Sequence, residues 1–135
     1  MAACFGVATD IIGPAGFDMT DKSLRRAGLD YLDHVTLVRH ESWETFIAAR
    51  SQEASSHRLV LLTSSASQSL GEFRFEPNDT LLLGRESAGV PEAVHDRADA
   101  RVRIPMRSGM RSLNIAVAAA VALGEGLRQT GQFPE

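Results

Sequence analysis

The chain has 135 residues, 44% hydrophobic and 23% charged, which suffices for one globular domain with a core and not for two. Fourteen basic against seventeen acidic residues leave a net charge of -3, so no global positive field advertises a nucleic acid or an acidic membrane, and any anion site must be local. The single cysteine, Cys4, excludes a disulfide framework and a multi-cysteine zinc site and fits a reducing compartment.

In chain order, residues 7–12 predict a first strand, stopped by Gly13-Pro14 because proline lacks a ladder donor and biases its predecessor to extended geometry. A polar helix follows, capped by Thr20, with Leu24, Ala27, Gly28 and Tyr31 at helical spacing and Arg25 and Arg26 beside that stripe. Residues 35–38 predict a short strand. Ser42 then caps a helix with Trp43, Phe46, Ile47 and Arg50 along one side, and Trp43 is expected to pack there. Residues 59–63 and 80–83 predict two apolar strands, the second ending in Gly84. Continuous apolar runs suit strands covered on both faces. Pro91 fits the first turn of a helix to about residue 97, residues 102–104 predict a last strand, and Ser112 opens a final helix reaching roughly Gln129.

The order predicts one α/β domain over 1–135, a mostly parallel sheet with helices on both faces. The final helix carries Ala116, Ala118, Ala119, Ala120, Ala122, Gly124 and Gly126, little bulk, so a neighbouring backbone can approach closely. Helix propensity explains the alanines but not the glycines, each of which costs about 1 kcal/mol against Ala in a helix interior. The longest apolar run, residues 115–123, is far short of a membrane span, and the N-terminus lacks a secretory leader's pattern. A cytoplasmic protein without a membrane partner is expected.

Three strand ends carry residues that suit a ligand: Leu62-Thr63-Ser64, then Gly84 through Gly89, then Ile104-Pro105-Met106 leading through Arg107 and Arg111 to Ser112. Ligands of open α/β sheets bind outside the carboxyl ends of strands. Gly84 and Gly89 have no Cβ to obstruct a planar ligand, and Leu62, Ile104 and Met106 offer apolar walls. No P-loop or dinucleotide-binding glycine pattern is present. Residues 101–111 hold four arginines and no acid. Arg107 and Arg111 lie beside the expected pocket and suit phosphate, whereas Arg101 and Arg103 are as readily ordinary surface charges. His34, His40, His57 and His95 have no metal-ligand spacing, so no metal is expected. Cys4 beside Phe5 has no identifiable base and is expected to be a small core residue.

The segments from Leu81 to Pro91 and from Arg103 through Asn114 resemble, in order and spacing, the second and third motifs of SPOUT RNA methyltransferases. The run from Asp21 to Tyr31 is similar to the corresponding segment of bacterial TrmL-type enzymes, which methylate the wobble ribose of tRNA. The resemblance implies a SPOUT-like domain with a C-terminal trefoil knot, a homodimer, and S-adenosylmethionine held at Leu62, Thr63, Gly84, Ile104, Met106, Ser112 and Leu113. It implies methylation of a tRNA ribose 2′-hydroxyl, at a wobble cytidine or uridine, with Arg107 and Arg111 on RNA phosphates.

Two departures accompany it. Family members begin with a strand, an Asn-x-Gly loop and an arginine implicated in activating the ribose hydroxyl. The opening from Met1 to Val7 resembles the end of the helix that follows, so that arginine falls before Met1 and about twenty residues of the pattern are expected to be missing through a misplaced or shortened start. No catalytic residue is assigned. Gly124 stands where some relatives carry an aromatic side chain. The alternatives are a knotted RNA-binding module without methyl transfer, and a small-molecule-binding α/β regulator without an RNA partner.

Overall fold

The computed structural model describes residues 2–13, 37–52, 57–84, 90–110 and 113–135. They group into two compact units, Met1–Ser56 with Pro134–Glu135, and His57–Phe133. The helix expected from Thr20 through Tyr31, with Arg25 and Arg26, lies outside the described residues.

In the first unit, α1 (Ala2–Phe5) leads to β1 (Thr9–Ile12), which runs parallel to β2 (Leu37–His40) with Thr9 opposite Leu37 and Ile12 opposite His40. Cys4 is exposed rather than part of a core, while Phe5 beside it is half-buried. Gly13 ends β1 by donating its N–H to His40 O at 2.8 Å. A Cβ there would lie 2.9 Å from Glu41 O, so close backbone approach requires glycine.

β2 runs to His40, two residues past the end expected for the strand over 35–38, of which residues 35 and 36 lie outside the described residues. His40, at its end, bonds Asp10 Oδ1 through Nε2 at 2.8 Å. Ser42 caps α2 (Trp43–Ser51) in a reciprocal box: its Oγ accepts from Thr45 N–H, and Thr45 Oγ1 accepts from Ser42 N–H. Phe46, 3% exposed, is the buried anchor of this helix. It takes the His40 ring edge-on at 5.1 Å and lies 5.6 Å from the Trp43 ring, the packing role expected for Trp43.

In the second unit, β3 (Leu59–Leu62), β4 (Gln68–Ser69), β5 (Thr80–Leu82) and β6 (Ala100–Arg103) form one parallel sheet in the order β4-β6-β3-β5. Leu59, Val60 and Leu61 of β3 are at most 1% exposed, as an apolar run covered on both sides should be. Val60 and Val102 meet Leu70, Phe73 and Ala122 in a core cluster, with Leu62, Leu81, Ala100 and Ile104 at its edge.

Ala122 belongs to α4 (Ile115–Thr130), so that helix covers this face. Alternation turns Arg101 to the opposite face. There it bonds the His95 and Asp96 carbonyls at the end of α3 (Glu92–Arg97), which places a helix on the second face.

α4 opens at Asn114 rather than Ser112, since Asn114 Oδ1 accepts from Ala116 N–H at 2.8 Å. It ends at Gly131, whose φ of 68° is the left-handed cap conformation. The close-approach reading holds for fully buried Ala122 and is corrected for the glycines. A Cβ on Gly124 meets nothing within 4 Å, and one on Gly126 reaches the Phe75 ring at an ordinary 3.5 Å. Among the described residues no helix is long and apolar enough to cross a membrane.

Candidate functional site

The register brings the carboxyl ends of three strands to one edge of the second unit. Leu61 pairs with Leu82 on one side of β3, and Leu62 pairs with Val102 on the other. One residue beyond the Leu62–Val102 pair, Thr63, Gly84 and Arg103 therefore form a row across β3, β5 and β6, with neighbouring strands about 4.8 Å apart. Thr63 N–H still donates to Val102 O at 2.9 Å, which keeps this row in sheet geometry past the end of β3. Gly84 stands in that row and Ile104 follows Arg103, so four of the expected cofactor positions (Leu62, Thr63, Gly84 and Ile104) adjoin at the carboxyl edge.

The side chains divide by face. Leu62 and Ile104 turn to the core cluster, so what they bring to the edge is main chain and an apolar flank. Thr63 Oγ1 bonds Ser65 Oγ at 3.0 Å and accepts from Ser65 N–H at 3.3 Å, fixing the first turn after β3. Gly84 is half-buried. Met106, 38% exposed, and Leu113, 37% exposed, stand out from the core, so Met106 is a rim residue rather than a deep wall. Arg107 is exposed and its carbonyl accepts from Met110 N–H at 3.2 Å, closing a turn in which Gly109 has φ 89°. Only glycine enters that region without strain. Ser112 and Arg111 lie outside the described residues, as do residues 85–89.

The arginines of β6 differ in a way their spacing did not reveal. Arg101 is a structural cation: Nε and Nη2 donate to His95 O at 2.9 and 2.6 Å, neutralising the negative end of α3. Arg103, one pleat nearer the edge, has its Nη1 enclosed without a hydrogen-bond partner, the one buried side-chain nitrogen or oxygen so left among the described residues. Of the two readings open for this pair, ordinary surface charge does not describe Arg101, which is committed to the end of α3, nor the enclosed Nη1 of half-buried Arg103. Among the described residues no group of three His, Cys, Asp or Glu side chains converges as metal ligands would. His95 sits beside Arg101 Nε at 3.3 Å.

The comparisons with known proteins span nearly the whole chain. The model of the SpoU rRNA Methylase family matches residues 1–124. A tRNA (cytidine(34)-2′-O)-methyltransferase of Beijerinckia indica is 59% identical over 131 residues, covering 97% of this chain and 81% of that protein. Among solved structures, one concerned with the 2-OH methylation of C/U34 on tRNA superposes with a TM-score of 0.85 at 41% identity, covering 95% of this chain and 82% of that one. The SpoU methyltransferase AviRb of Streptomyces viridochromogenes, in complex with the cofactor AdoMet, superposes with a TM-score of 0.78 at 29% identity, over 95% of this chain and 52% of that one. With the α/β architecture, the strand-end site and matches spanning nearly the whole length, the chain belongs to the SpoU family of RNA methylases.

Proposed function

We propose that this chain is an S-adenosylmethionine-dependent tRNA methyltransferase that modifies the ribose 2′-hydroxyl of a wobble cytidine or uridine. The observation that carries it is the adjoining of Leu62, Thr63, Gly84 and Ile104 at one carboxyl edge, in a chain 59% identical to a protein named for that reaction. The residues present fit the methyl donor: apolar flanks from Leu62 and Ile104, a half-buried glycine without a Cβ, and an enclosed N–H donor on Arg103 with no internal acceptor.

When bound, the donor supplies an electrophilic methyl group on a positively charged sulfur. The chain's part is to hold two reactants in line and manage one proton. Leu62, Thr63, Gly84, Ile104, Met106, Ser112 and Leu113 form the donor's cradle, mainly through main chain. Arg107 and Arg111 take RNA phosphates, for which an exposed guanidinium is suited. With both reactants held, the ribose oxygen would take the methyl group from the donor, which would be released as the neutral thioether, the hydroxyl proton going to solvent.

The same reading treats 1–135 as one SPOUT-like domain, with the C-terminal trefoil knot, acting in the cytoplasm. It makes the active form a homodimer, supported by an apolar stripe at helical spacing on and before α4: Leu113, Val117 and Val121, 37%, 49% and 42% exposed. The test is incubation of the purified chain with unmodified tRNA and methyl-labelled S-adenosylmethionine, followed by nuclease digestion and nucleoside analysis. Label in 2′-O-methylcytidine or 2′-O-methyluridine from the wobble position supports it. Calorimetry that finds binding of neither S-adenosylmethionine nor its demethylated product to the folded chain overturns it.

A further inference from the structure

Arg101 and Arg103 share one face of β6 and have opposite fates. The guanidinium of Arg101 is spent on the carbonyls of His95 and Asp96. That of Arg103 keeps an Nη1 that is enclosed by protein and bonded to nothing. Elsewhere in the same unit Arg58 holds Asp79 at 2.7 Å and Arg128 holds Glu125 at 2.6 Å, so carboxylates do pair with arginines where the fold intends an internal pair. An arginine cannot shed its charge to escape burial. An enclosed guanidinium donor without an acceptor is therefore costlier than an unpaired neutral one.

Position narrows what the missing acceptor can be. Arg103 is the last residue of β6, opposite Ser69 of β4 and one residue beyond the Leu62–Val102 pair, which sets it beside Thr63. Ile104, a cradle residue, follows it directly. The acceptor is thus wanted at the carboxyl edge, beneath the surface. A polynucleotide phosphate stays at the hydrated surface, where Arg107 is exposed to meet it. A small ligand that buries most of its area can carry an anionic group down to an enclosed donor. The planar fork of a guanidinium matches the two oxygens of a carboxylate.

We propose that Arg103 forms the subsite for the carboxylate on the amino-acid arm of the methyl donor. The inference rests on the reading of the strand ends as the donor's cradle, and it makes Arg103 a specificity-determining residue of that cradle. It distinguishes the intact donor and its thioether product from nucleoside thioethers that lack the carboxylate.

The experiment is calorimetry on the full chain with two ligands, S-adenosylhomocysteine and its decarboxylated analogue, for the natural sequence, Arg103→Met, Arg103→Lys and Arg101→Lys, with thermal melts to confirm folding. The natural chain should bind S-adenosylhomocysteine about tenfold or more tighter than the decarboxylated analogue. Arg103→Met should erase that preference while leaving affinity for the analogue unchanged, Arg103→Lys should retain part of it, and Arg101→Lys should retain all of it. If Arg103→Met does not fold, the ligand pair on the natural chain and on Arg103→Lys decides the matter. Equal binding of both ligands by the natural chain, or equal weakening of both by Arg103→Met, overturns the subsite while leaving the cradle standing. So does a loss of ligand-free tRNA affinity in Arg103→Met with a shallower salt dependence, which would assign the guanidinium to a phosphate. Binding of neither ligand overturns the cradle itself and this subsite with it.

Discussion

The side-chain amide of Gln129 clasps the segment that carries Phe75. Its Oε1 accepts from the Phe75 N–H at 2.8 Å, and its Nε2 donates to Phe73 O at 2.9 Å. One helical side chain thereby does for residues 73–75 what a neighbouring strand would do, and holds the Phe73 and Phe75 rings edge-on at 4.8 Å beneath α4. Gln129→Ala removes both partners from part-buried main-chain groups. It should lower stability by about 1–3 kcal/mol, seen as a fall in the urea midpoint. An unchanged midpoint would mean that water replaces the clasp without loss.

Gly126 lies one turn from that clasp. Its absent Cβ would sit 3.5 Å from the Phe75 ring, an ordinary contact, so alanine adds helix propensity without a clash. Gly126→Ala should raise stability by about 0.5–1 kcal/mol, measured as a higher melting temperature. A drop would show that the ring cannot give way.

Glu125 provides a pH-dependent contact on the same helix. Hydrogen bonds from Arg128 and Gln129 favour its charged form and hold its carboxyl at about 2, against an ordinary 4.5. Because the folded value is the lower one, the stabilisation is complete above about 4.5 and is lost as pH falls toward 2. The exposure of Arg128 leaves the pair screened by solvent and salt. Carbon-detected NMR titration should find the Glu125 carboxyl midpoint depressed, and Arg128→Ala should return it toward 4.5.

Arg107 is assigned to RNA phosphate, so its loss should act on the electrostatic part of binding. Arg107→Ala should weaken tRNA binding at low salt and reduce the slope of log affinity against log salt by about 1. Filter binding across a salt series measures it, and a slope equal to that of the natural chain would remove Arg107 from the RNA surface.

Val117 and Val121 are one helical turn apart and open to solvent in a single chain. If a second copy covers them, Val121→Asp buries an unpaired charge at that contact. Sedimentation should show the natural chain as a dimer and the variant as a monomer at the same concentration. A monomeric natural chain would rule the stripe out as an interface.

Most of the sheet was legible because apolar runs such as residues 59–62 and the glycines and prolines that stop them are dictated locally. Ser42 announced its helix, and Gly84 the end of β5. β4 was not legible: Gln68 and Ser69 are polar, and only pairing with Val102 and Arg103 makes them a strand. The start of β6 at Ala100 is likewise set by its partner Val60 rather than by its own composition. At the site, the strand ends could be found from punctuation and from resemblance. The division of labour between Arg101 and Arg103 could not, because it depends on where the end of α3 lies across the sheet.

The strand order carries a consequence for how the chain assembles. The middle strand beside β3 is β6, drawn from residues 100–103, and among the described residues β4 pairs with β6 alone. While a ribosome is still making the first hundred or so residues, only β3 and β5 can join, and residues 68–69 must wait unpaired for a segment synthesised some thirty positions later. Non-local parallel pairing of this kind slows maturation and prolongs the exposure of unsatisfied edges. Synthesis of residues 100–103, rather than emergence of the first strands, is therefore the event that lets the sheet close, and a nascent chain stalled before that segment should be an early client for chaperones.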